Sequence, residues 1–194
     1  MRIRNLEKKD TSMMLEWMHD PNVTEFLHKD FRIMTEEDCL QFICKSQEDH
    51  KNLHLAVADE RDEYMGTVSL KNICNDSAEF AIVMRKCAMG KGLAGFAMKA
   101  MIQKGKDMGI KDIYWCVSRD NKRAIRFYDK NGFARTSFDP LYMSGGGIPR
   151  RKSNRCSGTE LKWSFSHLCV YGGGCMKRLI LLNHVCALEA RCAA

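Results

Sequence analysis

The chain reads as an α/β sandwich of about seven strands, and three observations point there. Apolar residues recur with period two in some segments and at helical spacing in others. Their order runs from a hairpin-rich front half to strand, helix, strand, helix, strand. Hydrophobic residues make up 45% and charged residues 28% of 194 residues, which excludes a disordered or fibrous chain.

The first strand falls at Arg2 to Asn5. Asp10 is placed to cap a helix carrying Met13, Met14, Leu15, Trp17 and Met18, which Pro21 ends. Val23 to Leu27 reads as a short helical piece. Thr35, followed by Glu36, Glu37 and Asp38, opens a helix whose apolar face is Cys39, Phe42 and Ile43. Leu53, Leu55 and Val57 then alternate as a strand, with His54 between them as an exposed strand residue. Asp59 to Glu63 is a charged turn, and Met65 to Leu70 is the returning strand, where Gly66 marks a bulge or a close approach.

Ala78 to Met84 is the next strand, with Phe80, Ile82 and Met84 on one face and Glu79, Ala81 and Val83 on the other. A glycine-bearing loop leads to the clearest helix, through Leu93, Phe96, Ala97, Ala100 and Met101, which Gly109 closes. Ile113 to Val117 has the apolar, β-branched and aromatic content of a strand covered on both faces. Asn121 starts a helix through Ala124, Ile125, Phe127 and Tyr128 that stops at Gly132. Phe133 to Phe138 is a strand, and Leu161, Trp163 and Phe165 alternate in a final half-buried one.

The formal net charge of +7 is unevenly distributed. Residues 1 to 140 hold 23 Lys/Arg against 22 Asp/Glu, whereas residues 141 to 194 hold eight against two. A nearly neutral body lacks the positive field of a nucleic-acid binder. Five of ten cysteines and seven of fourteen glycines also lie in the C-terminal stretch. Met1 to Glu7 shows no secretory leader, and no apolar run approaches the roughly 18 residues of a membrane span. The expected setting is the reducing cytoplasm, with free thiols. Cysteine and histidine spacing predicts no metal site.

The segment that carries chemistry is Met89 to Ala94, MGKGLA, between a strand and a helix. Glycines there let backbone N–H groups approach a phosphate, and the helix start adds its unpaired amides and positive end. Arg85, Lys86 and Lys91 add full charges, so the expected ligand is a pyrophosphate. Gly90, Gly92 and Gly95 formally match a dinucleotide fingerprint. Two features count against an oxidoreductase. Arg85 to Met89 separate the strand from the first glycine, and Asp112 opens the following strand instead of closing it.

With this loop and the stretch NKRAIRFYDKNGF, Asn121 to Phe133, the chain resembles the GNAT N-acetyltransferase superfamily over about residues 1–166. Its style is that of the ribosomal-protein-alanine and amino-sugar branches. Gly92 and Ala94 match the end of the family's loop motif, while Met89 stands at its Arg/Gln position. The resemblance implies a mixed, mostly antiparallel seven-stranded sheet with splayed central parallel strands and about four flanking helices. It also implies acetyl transfer from acetyl-CoA to a primary amine by direct attack in a ternary complex. Amides of Gly90, Lys91, Gly92, Leu93 and Ala94 would hold the pyrophosphate, Met84 and Arg85 would pair with the pantetheine arm, and Asn121 would touch the cofactor. Tyr128 would lie near the sulfur, where a phenol of pKa about 10 can assist a thiol of about 8.5 in leaving.

The acceptor amine, with a pKa near 10.4, needs a base, and Glu79 is the candidate, directly or through water. Acceptor choice is expected at Glu25 and His28 and at the basic loop with Arg150 and Arg151. The partner is then a small-molecule or peptide amine, with no nucleic acid or membrane involved, and a homodimer is compatible. A catalytically silent member that binds CoA or a protein is the alternative. Residues 167–194 lie outside the resemblance and read as a Cys-rich extension with no role assigned, most simply a non-native stretch never selected to fold.

Overall fold

The period-two segments of the front half pair as strands in the computed structural model. β1 (Arg2–Asn5), β2 (Leu53–Ala58), β3 (Tyr64–Cys74) and β4 (Ser77–Met84) form successive antiparallel pairs. The described residues are 1–27, 29–133, 135–136 and 160–166. They divide into a unit spanning Met1–Ile113 and a second beginning at Tyr114. The sequence shows no linker there, and β5 (Asp112–Ser118) runs through the division.

In the first unit, α1 (Thr11–Met18), α2 (Pro21–Thr24) and α3 (Glu36–Glu48) precede the β2–β3 hairpin, and α4 (Leu93–Asp107) follows β4. Thr35 caps α3 as expected, exchanging hydrogen bonds with Asp38 at both backbone amides. Asp10 does not cap α1. Its carboxylate accepts two bonds of 2.8 Å from the Arg4 guanidinium and one from the Glu7 amide. Arg4 also reaches Asp62 in the β2–β3 turn at 2.8 Å, so one part-buried network ties β1, the start of α1 and the hairpin together. Pro21 does not simply end α1; it is the first residue of α2, where its missing N–H costs nothing.

The strand faces sort the helices. Leu70 and Ile113 meet α4 at Gly105, while Thr67, Ser69 and Val83 face the side bearing α1 and α3. The latter side holds a core of Leu6, Met14, Trp17, Met18, Val23, Cys39, Ile43, Ala56 and Tyr64. Gly66 is both things expected of it. The β2–β3 register shifts beside it, between Val57 and Ala58, and it sits against β4 too closely for a side chain.

The second unit contains α5 (Lys122–Lys130) and an antiparallel pair of β6 (Arg135–Thr136) and β7 (Glu160–Ser166). Trp115 stacks near Tyr128 and Phe133, each with ring centroids 5.1 Å away. Cys39, Cys44, Cys74 and Cys87 are free thiols, but Cys116 is disulfide-bonded, which corrects the expectation of free thiols throughout. No helix among the described residues is long and apolar enough to cross a membrane.

Candidate active site

The end of β4 is where backbone geometry first becomes available to a ligand. The Arg85 amide donates to the Met65 carbonyl at 2.9 Å, which makes Arg85 and Met65 a hydrogen-bonded cross-strand pair. In antiparallel pairing the next pair along, Met84 and Gly66, turns its N–H and C=O away from the partner strand. The Met84 peptide groups therefore face the far edge of β4, as a pantetheine-pairing residue requires. Arg85 fits that role poorly, because its carbonyl also accepts from the Ala88 amide at 3.0 Å.

The Arg85 side chain is a second correction. Its guanidinium is not at the loop but buried against α1 and the β2–β3 turn. It donates to Glu16 at 2.6 Å, to Glu63 at 2.7 Å and to the Tyr64 carbonyl at 2.9 Å. Those carboxylates hold its pKa above the ordinary guanidinium value despite burial. It anchors the strand end and leaves Lys86 and Lys91, both exposed, as the loop's free-standing charges.

A single 3-10 turn, Lys86–Ala88, leads into the loop. The Met89 amide is spent on the Lys86 carbonyl at 3.2 Å, and its side chain packs on the core of the first unit. Met89 thus positions the loop and does not offer an amide to it. Gly90 and Gly92 both take positive φ, 78° and 80°, which glycine alone adopts without strain. A Cβ at either glycine would meet nothing within 4 Å, so the space before them is open to a ligand. Gly92 is the N-cap of α4, and the first intrahelical bond runs from Phe96 N–H to the Gly92 carbonyl. Amides at Leu93 and Ala94 consequently precede the helical ladder, while the Leu93 side chain is buried beneath. Open space, positive φ and unladdered amides at a helix start fit a pyrophosphate.

Glu79 is elsewhere. It pairs across the strands with Lys71, at 2.8 Å, and its other oxygen accepts from Asn72 at 3.0 Å. It also lies five residues before Met84, roughly 17 Å along an extended strand. Glu79 is a cross-strand ion-pair partner near the β3–β4 turn and not a base at the strand end.

Asn121 caps α5, accepting from the Ala124 amide at 3.0 Å, which leaves its side-chain amide hydrogens as its donors. Tyr128 is buried, and burial pushes its phenol above the ordinary value. It is therefore a neutral hydrogen-bond donor across the neutral range and a weak source of a full proton. Glu25 is exposed beyond α2, beside a groove that also holds the Asp30–Arg32 ion pair. His28, Arg150 and Arg151 lie outside the described residues, as does the extension 167–194.

Sequence reasoning missed the cavity between α1, α3 and the sheet, about 460 Å³, whose lining includes His54, Thr67, Ser69 and Val83. His54 is not simply exposed. It is half-buried, bonds the Ser69 hydroxyl at 2.7 Å and meets Phe42 edge-on at 4.9 Å. Inward-facing hydroxyls at alternate positions of β3 were the available signal. Among the described residues no group of three or more His, Cys, Asp or Glu is placed to hold a metal.

Comparison with known proteins agrees with this architecture. Residues 1–134 match the family described as Acetyltransferase (GNAT) domain. Bacillus subtilis (strain 168) YwnH, provisionally named a phosphinothricin acetyltransferase, is 21% identical over 72% of this chain and 88% of its own. The spermidine N-acetyltransferase of Vibrio cholerae, solved with CoA and spermine, superposes with a TM-score of 0.67 at 19% identity, covering 86% of this chain and 95% of that one. The PaiA N-acetyltransferase of Thermoplasma acidophilum, solved with coenzyme A, gives 0.63 at 20%, covering 85% and 98%. The mixed α/β fold and the family match together assign the chain: it belongs to the GNAT acetyltransferases.

Proposed function

We propose that this GNAT enzyme moves the acetyl group of acetyl-CoA to a primary amine by direct attack within a ternary complex. The observation that supports it most is the pair of left-handed glycines, Gly90 and Gly92, opening free space at the start of α4. When bound, acetyl-CoA supplies an activated acetyl thioester. Gly90, Lys91, Gly92, Leu93 and Ala94 hold its pyrophosphate, and the Met84 peptide groups pair with its pantetheine arm. Asn121 contributes its side-chain amide hydrogens. Tyr128 donates a hydrogen bond to the departing sulfur, in a seven-stranded mixed sheet whose central strands part around the cofactor.

The acceptor is a small or peptide amine. The ammonium first gives one proton to water, since Glu79 is committed to Lys71. The free amine nitrogen then bonds to the thioester carbon as the carbon–sulfur bond breaks, and the second nitrogen proton ends, through water, on the departing thiolate. Relatives named for spermidine and phosphinothricin support a small amine, and Glu25, His28, Arg150 and Arg151 would contribute to its recognition in this reading. A cytoplasmic setting, a homodimer and an extension at 167–194 dispensable for catalysis belong to the same proposal.

The test is release of free CoA from acetyl-CoA in the presence of polyamines, aminoglycosides, nucleotide amino sugars or N-terminal peptides, alongside calorimetry with CoA. Amine-dependent release supports the proposal. CoA binding without turnover on any amine would indicate a silent module, and NADH binding in place of CoA would overturn the cofactor assignment.

A further inference from the structure

The cavity between α1, α3 and the sheet offers donors and cations to a ligand. Met14 and Trp17 from α1, Phe31, and Phe42 from α3 make its walls apolar. Its floor is a row across three strands. His54 pairs in register with Ser69 and Ser69 with Ala81, while Thr67 pairs with Val83. Val83 directly precedes Met84, so one end of the floor meets the proposed cofactor strand end. His54 stands at the other end, two strand spacings across and two residues along, roughly 12 Å from Val83 between Cα atoms.

The hydrogen-bond directions on this floor follow from proton counting. The Trp17 indole can only donate, so Tyr64 Oη accepts from it at 3.0 Å. Tyr64 is fully buried, and its own hydrogen goes to Thr67 Oγ1 at 2.7 Å, because leaving it unpaired in that site is costly. The Thr67 hydroxyl hydrogen is left for the cavity. At the far end, burial keeps the His54 imidazole neutral, with one N–H. If Ser69 donates to Nδ1, the imidazole Nε2–H is available; if Nδ1–H donates, the Ser69 hydrogen is available. Either tautomer leaves one donor for a ligand.

The charged lining holds two cations, Lys29 and Lys45, against one acid among the described residues, Asp38, one of whose oxygens already accepts from the Thr35 amide and hydroxyl. The balance is positive, and the second cation of a polyamine would meet two ammonium groups, the Thr67 hydroxyl and the donor at His54–Ser69.

From this geometry we infer that the cavity is the acceptor pocket and selects an amine whose apolar body ends in a carboxylate or similar oxyanion. The amine lies at the Val83 end and the oxyanion at the His54–Ser69 end. This rests on the acetyl-transfer reading above and narrows its acceptor class.

Three amines of one length separate the alternatives: 6-aminohexanoate, hexylamine and 1,6-diaminohexane. The expected order of kcat/KM is that order, with the diamine about ten-fold or more below the amino acid. Lys45→Gln, at an exposed position, and Ser69→Ala are expected to raise KM for 6-aminohexanoate about ten-fold. They should raise KM for hexylamine and for acetyl-CoA far less. A second readout needs no acetyl-CoA. Titration of the cofactor-free protein with 6-aminohexanoate should shift the His54 imidazole resonances by NMR, and 1,6-diaminohexane should not. Turnover with the diamine preferred, or identical behaviour of both variants with all three amines, would overturn the pocket assignment while acetyl transfer stands. Unperturbed His54 resonances with 6-aminohexanoate would overturn it even if no amine is turned over. Failure to bind CoA would instead sink the acetyl-transfer reading.

Discussion

Replacing Gly66 by alanine tests how closely the strand end of the site depends on backbone contact. A Cβ built there runs into the Val83 carbonyl oxygen and lies 2.8 Å from the Met84 sulfur and 3.0 Å from the Met84 Cα. The Met84 side chain can swing away, but the carbonyl and Cα belong to β4 itself. The first contact is about 1 Å short of ordinary packing, so β3 and β4 must separate locally. Overpacking of this kind costs about 2–3 kcal/mol. For a chain of this size that lowers Tm by roughly 4–12 °C. Because Gly66 faces Met84 in register, the same displacement moves the peptide groups proposed to hold the pantetheine arm. Thermal unfolding followed by circular dichroism, with calorimetry of CoA binding, should show both a lower Tm and weaker CoA affinity.

Gly105→Ala is the control. Its Cβ would press on the tips of Ile113 and Leu70, at 2.9 and 3.3 Å, and both can yield. The helix propensity gained, about 1 kcal/mol, offsets much of that cost. If Gly66→Ala unfolds within about 2 °C of the unmodified protein, or no lower than Gly105→Ala, the close-contact reasoning is refuted.

Four further outcomes are expected. Gly92→Ala strains a residue at φ 80° by about 1–2 kcal/mol and should weaken CoA binding well beyond its effect on Tm; unaltered CoA affinity would remove the loop from pyrophosphate binding. Glu16→Gln with Glu63→Gln removes both anionic partners of the buried Arg85 guanidinium and, because both carboxylates are half-exposed, should cost about 1–2 kcal/mol in urea unfolding, more than Arg85→Met, which removes the buried charge; the opposite ranking would contradict that network. Glu79→Gln should keep kcat within about two-fold, and a loss of about 100-fold would restore Glu79 as the base. Burial lowers the His54 pKa, with Asp49 raising it and Lys71 lowering it less strongly. The unfolded chain therefore takes up this proton first, so the stabilisation is full above about pH 6.5 and is lost as pH falls through the folded value. His54→Gln should flatten the fall of the urea midpoint as pH drops below about 6.5, and an unchanged slope would refute the assignment.

Much of the fold was legible because period and punctuation are local properties. Thr35 with Asp38, the 3.6-residue stripe of α4 and the alternation of β4 each specify an element within a few residues. The glycine loop before α4 was legible for the same reason, since a positive φ at Gly90 and Gly92 is a property of those residues themselves. Side-chain roles that depend on distant partners were not. Arg85 stands next to the loop in sequence, yet its guanidinium turns to Glu16, 69 residues earlier. Glu79 sits on the expected face of β4, but register set it opposite Lys71. His54 has a polar residue's place in an alternating strand, and only α3 folding over it with Phe42, and β3 bringing Ser69 beside it, made it part of a cavity. The amino-acid sequence by itself determined the elements, their order and the left-handed glycine loop, because torsional preference and hydrophobic period are written residue by residue. Tertiary structure decided which charges remain available to a ligand, because an ion pair forms with whatever the completed fold places within about 3 Å.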